Sequence, residues 1–392
     1  MMLARFPSAF ALALVMAGLF AGGGTSAQAP PAQKPAGAAA GKQAKPPKAP
    51  KQWPPDAAAL QKRRMEAEAL PLFAGLEPVD VVLTADFKAV QRDRNVDSKK
   101  LHPGTIAIVK DGAAGTPIPI ELRTRGHVRL NPRLCEFAPL RLEFPKDKSK
   151  GTIFEGHGAL KLGTHCQSEG VYQQYTLKDY LATRLHATLT PRSLRTRLAR
   201  VTYADTDKGK EPYTRMGILF EDIDDLAARM EARELPVPRQ MFASVDQAQL
   251  LFMSLFQYMI GNTDYSILLL HNVIMLDDAR GVRYTVPYDF DYSGLVNAHY
   301  AVPGKALGLS SVQERQYRGP CKTEAEVQEA LKPFLEKQAE LLALPASLTS
   351  VGLEEGHRKQ AEKYLNEFFE LVSKPDKVKK TFVTDCKTGG GM

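Results

Sequence analysis

The sequence lacks several features that would define a function class at once. Its four cysteines form no Cys-x-x-Cys pair and its eight histidines show no His-x-x-x-His spacing, so it predicts no zinc site. Neither a Gly-x-Gly-x-x-Gly run nor a P-loop is present, so a nucleotide would have to be held without a standard glycine loop. Beyond the N-terminal segment, no apolar run approaches the roughly 20 residues that cross a bilayer.

Acidic side chains are absent from the first 52 residues. This segment holds six basic residues, which account for six of the eight net positive charges and leave the rest of the chain nearly balanced. A protein that binds nucleic acid would concentrate its basic charge on the folded part. The charge distribution therefore argues against DNA or RNA as a partner.

The N-terminus has the three parts of a secretory signal. Arg5 lies in a short start, an apolar run extends from Phe10 to Phe20, and small residues end at Ala27 or Ala29. Cleavage after Ala27 is favoured, because cleavage after Ala29 would leave proline as the first residue of the product. We therefore predict a signal peptide over residues 1–27, a secreted or periplasmic protein, and no stable membrane span after cleavage.

A change of composition marks the boundaries that follow. Residues 28–55 are rich in Pro, Ala, Gly, Lys and Gln, and such a segment buries too little apolar surface to offset the entropy of ordering, so we predict a disordered linker. Strand patterns then dominate residues 56–222 and helix patterns dominate residues 223–386. Residues 387–392 are predicted to be a flexible tail.

The four cysteines of an exported chain predict disulfide bonds, and four cysteines allow three pairings. Order along the chain favours Cys135 with Cys166 and Cys321 with Cys386. The second bridge would tie the C-terminal tail back to the body of the protein.

Two kinds of apolar periodicity divide the folded part. Runs with a period of two, separated by Gly, Pro and Asp, predict strands, and apolar residues at steps of three and four predict helices. The predicted strands are Val79–Leu83, Thr105–Val109, Ile118–Leu122, Leu140–Phe144, Ala159–Leu162, Leu198–Tyr203, Arg215–Phe220, Val273–Leu276 and Arg283–Pro287, and the predicted helices are 56–70, Tyr172–Leu189, 223–234, 246–260, 323–344 and 355–374.

The order of these elements suggests a fold class. Strands come first, one helix is inserted before the last of them, and helices follow. Protein-kinase-like folds have this order, with a cleft between two lobes. We therefore predict an α+β, two-lobed protein-kinase-like fold with a strand-rich N-lobe and a mainly helical C-lobe.

Polar side chains that could carry chemistry gather near the predicted hairpin. Asp264 follows an apolar helix, Asn272 begins a strand, and the next strand runs into Asp289 and Asp291. Phosphoryl transfer needs oxygen ligands for magnesium and a further carboxylate that orients the attacking hydroxyl or accepts its proton. We predict Asp264 as the base, Asn272 and Asp289 as ligands of magnesium or manganese, and Asp291 as a second ligand or a structural partner of the first.

Four stretches resemble the spore coat protein H-like (CotH) kinase family, and the resemblance spans most of residues 79–300. Their order and spacing carry it, since each stretch is short. The stretches are Gly261-Asn262-Thr263-Asp264 with His271-Asn272, Val286-Pro287-Tyr288-Asp289-Phe290-Asp291, Leu122-Arg123-Thr124-Arg125-Gly126 ahead of Pro139–Phe144, and Gly217–Asp224. In that family they look like a catalytic loop, a metal-binding Asp motif, a pair of N-lobe strands and a hinge.

The resemblance implies a secreted kinase that uses ATP with magnesium or manganese and phosphorylates a hydroxyl, with an extracytoplasmic protein as the substrate. It places Glu221 in the hinge, as a nucleotide-binding residue. Lys161 precedes the Tyr172–Leu189 helix, where a phosphate-binding lysine would stand, and Glu169 or Asp179 would be its acidic partner. Arg141 is the alternative phosphate-binding residue.

Two other function classes remain open. Asp289-Phe290-Asp291 is also an Asp-x-Asp, which binds manganese and a diphosphate in nucleotide-sugar glycosyltransferases, although those enzymes require alternating strands and helices before the motif. A catalytically inactive secreted pseudokinase or scaffold is the second alternative. An isolated Asn-Thr-Asp is by itself typical of a turn.

Overall fold

The computed structural model describes residues 53–207, 209–239 and 241–386. The predicted signal peptide, nearly all of the predicted linker and the predicted tail at 387–392 lie outside these residues. Within the described ranges, no helix is both long enough and apolar enough to cross a membrane.

Strands occur where side chains alternate between the interior and the surface. Every second residue of the first strand is buried, and the strand that begins at Ile118 shows the same pattern. The strands are β1 (Val79–Ala85), β2 (His102–Lys110), β3 (Ala113–Ala114), β4 (Ile118–Thr124), β5 (Leu140–Glu143), β6 (Ala159–Gly163), β7 (Thr196–Asp205), β8 (Tyr213–Phe220), β9 (Ala232–Glu234), β10 (Val273–Asp278) and β11 (Arg283–Pro287).

Several helices begin at a residue that caps them. The side chains of Asp56, Asp86 and Asp246 each accept a hydrogen bond from a backbone N–H of the first turn. The helices are α1 (Ala57–Glu68), α2 (Phe87–Arg92), α3 (Gly170–Leu189), α4 (Ile223–Arg229), α5 (Gln247–Met259), α6 (Glu324–Glu336), α7 (Gln338–Ser347), α8 (Glu355–Val372) and α9 (Pro375–Val378). The helix predicted over 223–234 is therefore shorter, and the one predicted over 323–344 is divided between α6 and α7.

Seven strands form a closed barrel in the order β1, β7, β8, β6, β5, β4 and β2, and β2 pairs again with β1. β1 is parallel to β7 and antiparallel to β2, whereas β3 is attached to β2 alone. Apolar side chains from all around the barrel fill its interior, including Leu83, Leu122, Leu142, Leu162 and Val201. Closure leaves the seven barrel strands without a free edge.

The rest of the described chain combines helices with a second sheet. β9, β10 and β11 form a three-stranded antiparallel sheet with its own apolar cluster, which also includes residues of α4. Helices α3 and α5 to α8 share a larger core, and Leu198, Met216 and Ile218 of the barrel wall belong to it. This core fixes α5 and the loop that follows it against the barrel.

The predicted two-lobed protein-kinase-like fold is wrong. The strand-rich part closes into a barrel, and the part after it contains a further sheet and is not a mainly helical lobe. Local periodicity located the strands but not their partners. Neighbouring strands in a sheet are usually close in sequence, and that general tendency does not apply to the strand pair that closes this barrel. Here the pairing that closes the barrel joins Asp80 to Arg200, 120 residues later.

Both predicted disulfide pairings are confirmed. Cys135 is bonded to Cys166 and Cys321 to Cys386, with Cα atoms 4.7 and 5.5 Å apart. The first bond ties the segment after β4 to the segment before α3, and the second ties the approach to α6 to the end of the described chain. Two disulfides are typical of a protein in an oxidising compartment.

Candidate functional site

The loop after α5 presents Asp264. Gly261 begins it with a φ of 63°, and a Cβ there would overlap the Tyr364 hydroxyl, so only glycine fits. Buried Asn262 then fixes the loop, because its Oδ1 accepts from the backbone N of Asp264 at 3.0 Å and its Nδ2 donates to Gln257 Oε1 at 3.0 Å. The apolar helix therefore delivers Asp264 on a well-supported turn.

The structure brings Asp264 and Asn272 together, as the sequence predicted for a shared site. Asn272 Nδ2 donates to the carbonyl oxygen of Asp264 at 2.9 Å and to its Oδ2 at 3.1 Å. His271 Nε2 lies 3.1 Å from Asp264 Oδ1, and this hydrogen bond raises the pKa of His271. The Asp264 side chain keeps 40% of its surface exposed, so the carboxylate is held in place but accessible.

Asp289 and Asp291 follow β11 and share one arginine. Arg129 Nη2 lies 3.4 Å from Asp289 Oδ1 and 2.7 Å from Asp291 Oδ2, and the Tyr300 hydroxyl donates to the same Asp291 oxygen at 3.1 Å. The Asp289 side chain is 44% exposed, whereas Asp291 is buried. Of the two alternatives for Asp291, its contacts are those of a structural partner.

Asp179 of α3 reaches the same turn from the opposite side. Its Oδ1 accepts from the backbone N of Phe290 at 3.0 Å. Burial, together with the negative charges of Asp289 and Asp291, raises the pKa of Asp179 to about 8. Among the described residues Asp179 forms no ion pair with Lys161, and Glu169, the other predicted partner, is exposed at the start of α3.

The outer wall of the barrel carries a row of basic residues, which we call the basic row: Arg123 on β4, Arg141 on β5 and Lys161 on β6. Their positions are paired in register across the three strands, while the flanking leucines fill the barrel interior. Arg141 Nε donates to Glu143 Oε1 at 2.6 Å, and its Nη1 lies 3.9 Å from Asp222 Oδ2. Burial, reinforced by the charge of nearby Arg125, lowers the pKa of Lys161 to about 8.

Arg125 links the basic row to the acidic groups. Burial lowers its pKa, the charge of Asp289 opposes that effect, and the charges of Arg129 and Arg141 reinforce it. Arg125 is therefore close enough to both Asp289 and Arg141 of the basic row for their charges to act on it. Positive side chains of the barrel and half-exposed carboxylates of the later segment thus share one region.

Glu221 lies at the centre of a buried ion-pair network. Arg195 Nε donates to Glu221 Oε1 at 2.8 Å, and Arg229 donates to both carboxylate oxygens, at 2.7 and 2.8 Å. The backbone N of Arg195 donates to Oε2 at 2.9 Å, and the residue is 0% exposed. Protein donors thus occupy both oxygens of this predicted nucleotide-binding residue, whereas the adjacent Asp222 reaches Arg141.

Of two cavities, one lies beside Asp179 and Asp291 and the other lies away from the predicted site residues. One of about 20 Å³, enough for about one water molecule, is lined by Arg129, Thr176, Asp179, Asp291 and Tyr300 among others. A second, of about 750 Å³, lies between α5 and α6, where Phe252 and Pro333 line it. None of the predicted site residues borders the second cavity, so its size does not associate it with the candidate chemistry.

The side chains of this region could hold a metal ion only together with other ligands. In the part of the chain that the structure describes, no group of three or more His, Cys, Asp or Glu side chains has a metal-binding arrangement. Magnesium, however, is often held by one or two carboxylates together with substrate phosphates and waters. Asp289, with the amide of Asn272, fits this smaller donor set, and the charges of Asp289 and Asp264 both act on His271.

Sequence reasoning did not assign functional roles to four of these residues: Arg125, Arg129, Asp179 as a partner of the Asp motif, and Tyr300. Arg129 stands 160 residues before Asp289 and Asp179 stands 111 residues before Phe290, whereas Tyr300 follows Asp291 by only nine residues. A basic residue between Gly126 and the first cysteine carries no periodic signal, so the sequence offered no means of placing it.

Comparison of the chain with protein-family models and with curated proteins finds no match. The site must therefore be interpreted from its own geometry and charges.

Proposed function

We propose that this protein is a secreted or periplasmic phosphotransferase that moves a phosphoryl group from a magnesium or manganese nucleotide, with ATP as the donor, to a hydroxyl on a protein. One observation carries the proposal: partly exposed Asp289 lies close to the basic residues Arg125 and Arg129, and the charges of Asp289 and Asp264 both act on His271. Phosphoryl transfer requires this combination of cations for the phosphates and carboxylates for the metal and the nucleophile.

The basic side chains have the properties of a phosphate site. Lys161 has no carboxylate oxygen within 4.0 Å among the described residues, so its charge is not neutralised by a direct ion pair. Burial lowers its pKa and so disfavours the ammonium form, and an anionic phosphate would relieve that cost. Arg125 would act beside it, and Arg141 is partly neutralised by Glu143 and Asp222.

The acidic side chains divide into two roles. Asp289, with Asn272, would hold the metal, which when bound neutralises charge on the phosphates. Asp264 would accept the proton of the attacking hydroxyl, since its carboxylate is accessible and its orientation is fixed by Asn272 and His271. Asp291 would act through Arg129 and Tyr300 and not as a ligand.

A resemblance of short motifs to the spore coat protein H-like kinases supports the same reaction, because the proposed base and metal residues stand in those motifs. The Asp-x-Asp interpretation as a glycosyltransferase is less well supported. It needs both acids of the motif at the metal, and Asp291 is buried and engaged by Arg129 and Tyr300.

A non-catalytic binding module remains the second candidate, and one contact favours it. Arg129 lies close to both acids of the motif and partly neutralises them. If this arrangement were permanent, the protein would keep the pocket without the chemistry.

Titration calorimetry of the purified protein with ATP, in the presence and absence of Mg²⁺ or Mn²⁺, tests the proposal. We expect metal-dependent binding that Asp289→Asn weakens at least about tenfold, because a carboxylate ligand is lost. Asp264→Asn should bind ATP nearly as well as the native protein, while metal-dependent ATP hydrolysis falls about 10²- to 10⁴-fold with the loss of the base.

The outcomes separate the candidates. Nucleotide binding without hydrolysis, unchanged in Asp264→Asn, would favour the non-catalytic module. Absence of any metal-dependent nucleotide binding by the native protein would contradict the phosphotransferase.

A further inference from the structure

The backbone of Asp289 has an unusual conformation. Its φ of 61° lies in the left-handed region, which residues with a Cβ adopt rarely. Such a conformation persists only where neighbouring groups hold it. The question is which groups hold the turn at Asp289.

Hydrogen bonds from several segments support this turn. The backbone N of Tyr288 donates to Asn272 O at 3.1 Å, and the backbone N of Ser293 donates to Phe290 O at 2.9 Å. Both bonds join residues within or beside the hairpin. The bond from Phe290 N to Asp179 Oδ1, at 3.0 Å, is made instead by a side chain from a helix 111 residues away.

Asp179 places a carboxyl group in the interior of the protein. It lies on α3 between buried residues that include Leu177, Tyr180 and Leu181, and it is itself buried. A buried carboxyl group lowers stability unless hydrogen bonds or charges compensate it. Within the described residues it has no cation within 4.0 Å, and its hydrogen bond goes to the turn that carries Asp289.

Packing of the Phe290 ring adds a second restraint on the same residue. Phe290 is 1% exposed, and its ring contacts Phe256 of α5 with centroids 5.6 Å apart. The ring fixes one side of the residue and Asp179 fixes its N–H, so the peptide between Asp289 and Phe290 cannot rotate freely. The direction of the Asp289 side chain follows from that peptide.

The geometry points to Asp179 as a positioning residue that holds the Asp289 turn, and through it the Asp289 carboxylate, in the orientation that binds a divalent cation. The metal-binding part of this inference rests on the proposed function. The holding of the turn does not, since it concerns a hydrogen bond of the protein alone.

Three variants test the inference. Asp179→Leu removes the acceptor, Asp179→Asn keeps an oxygen that can accept from Phe290 N–H, and Thr183→Val is the control. Thr183 lies one turn along α3 and is buried, and its hydroxyl donates to Tyr180 O at 2.7 Å and pairs with Thr196, away from the Asp289 turn. Mn²⁺ affinity is measured by electron paramagnetic resonance, and hydrogen exchange of residues 286–294 by mass spectrometry.

We expect Asp179→Leu to weaken Mn²⁺ binding about 10- to 100-fold, as for the loss of a group that supports a metal ligand. Exchange over 286–294 should accelerate in the same variant. Asp179→Asn should restore both quantities to near native values, and Thr183→Val should change neither.

Native exchange over 286–294 in Asp179→Leu would overturn the inference, whatever the metal does. The same holds if Asp179→Asn behaves like Asp179→Leu, or if Thr183→Val weakens Mn²⁺ binding equally. If the native protein binds no Mn²⁺, the proposed function fails, and the exchange measurement still decides whether Asp179 holds the turn.

Discussion

Two clusters of charged residues in this protein are built differently. Around Glu221, a carboxylate with no exposed surface receives hydrogen bonds from Arg195 and Arg229 on both oxygens. Around Asp264 and Asp289, the carboxylates are about two-fifths exposed. We call the first the closed cluster and the second the open cluster.

The comparison teaches how to distinguish a structural acid from a functional one. A carboxylate whose oxygens are filled by protein donors has no capacity left for a ligand, whereas an accessible carboxylate on a well-supported turn does. The sequence alone predicted both Glu221 and Asp264 as site residues. Their hydrogen bonds separate them.

The largest expected effect concerns the closed cluster. Glu221→Gln should lower the free energy of unfolding by about 3 to 5 kcal/mol, because it removes the buried negative charge that pairs with two partly buried arginines. Denaturant unfolding measures this, and the affinity of the folded fraction for Mg²⁺ and ATP should stay native. Asp80→Asn is the control, since its ion pair with Arg200 is exposed and worth less than about 1 kcal/mol. Equal stability of the two variants would show that the closed cluster is not the support we describe.

A second prediction concerns the disulfide bond next to the segment that carries Arg129. Replacing Cys135 and Cys166 by serine should lower the free energy of unfolding by about 3 to 4 kcal/mol, for a bridge between residues 31 apart. Hydrogen exchange should rise over 127–134, the segment that carries Arg129. Replacing Cys321 and Cys386 should lower stability too but leave exchange over 127–134 native, and the comparison would fail if both pairs acted on that segment alike.

The smallest expected effect is a pH dependence. The pKa of Lys161 is lowered to about 8, so the residue is cationic below that pH and becomes neutral as the pH rises through it. The affinity for ATP should therefore fall up to about tenfold between pH 7 and pH 9. Lys161→Arg stays charged over this range and should flatten the dependence. An identical slope in both proteins would remove Lys161 from the proposed phosphate site.

Much of the local structure could be predicted from the sequence. Alternating side chains located strands such as Ile118–Thr124, and the three- and four-residue apolar spacing located α3. Proximity of Asp264 and Asn272 was also predictable, because they are only eight residues apart in one loop. These features depend on residues within about ten positions of each other.

What could not be predicted depends on distant contacts. The closing of the barrel by β1 and β7 has no local signature, so a row of strands was interpreted as an open lobe. The role of Asp179 was equally hidden, since a helical pattern shows that a residue is buried but not what it contacts. Glu221 was placed by resemblance, and its two arginine partners lie 26 and 8 residues away on other elements.

The closed barrel also has a consequence for how the protein folds. β1 must wait for β7, 120 residues later, and pairings over such distances form slowly. Until then β1 presents an unpaired edge, which is a template for association with other chains. In the proposed function, Lys161 on β6 and Arg125 next to β4 would hold the phosphates and residues of later segments would hold the metal, so the two could meet only after closure. Nucleotide binding would therefore report completed folding. A proteolytic cut between β1 and β7 should expose the β1 edge, so we expect aggregation of the cut protein in addition to loss of nucleotide binding.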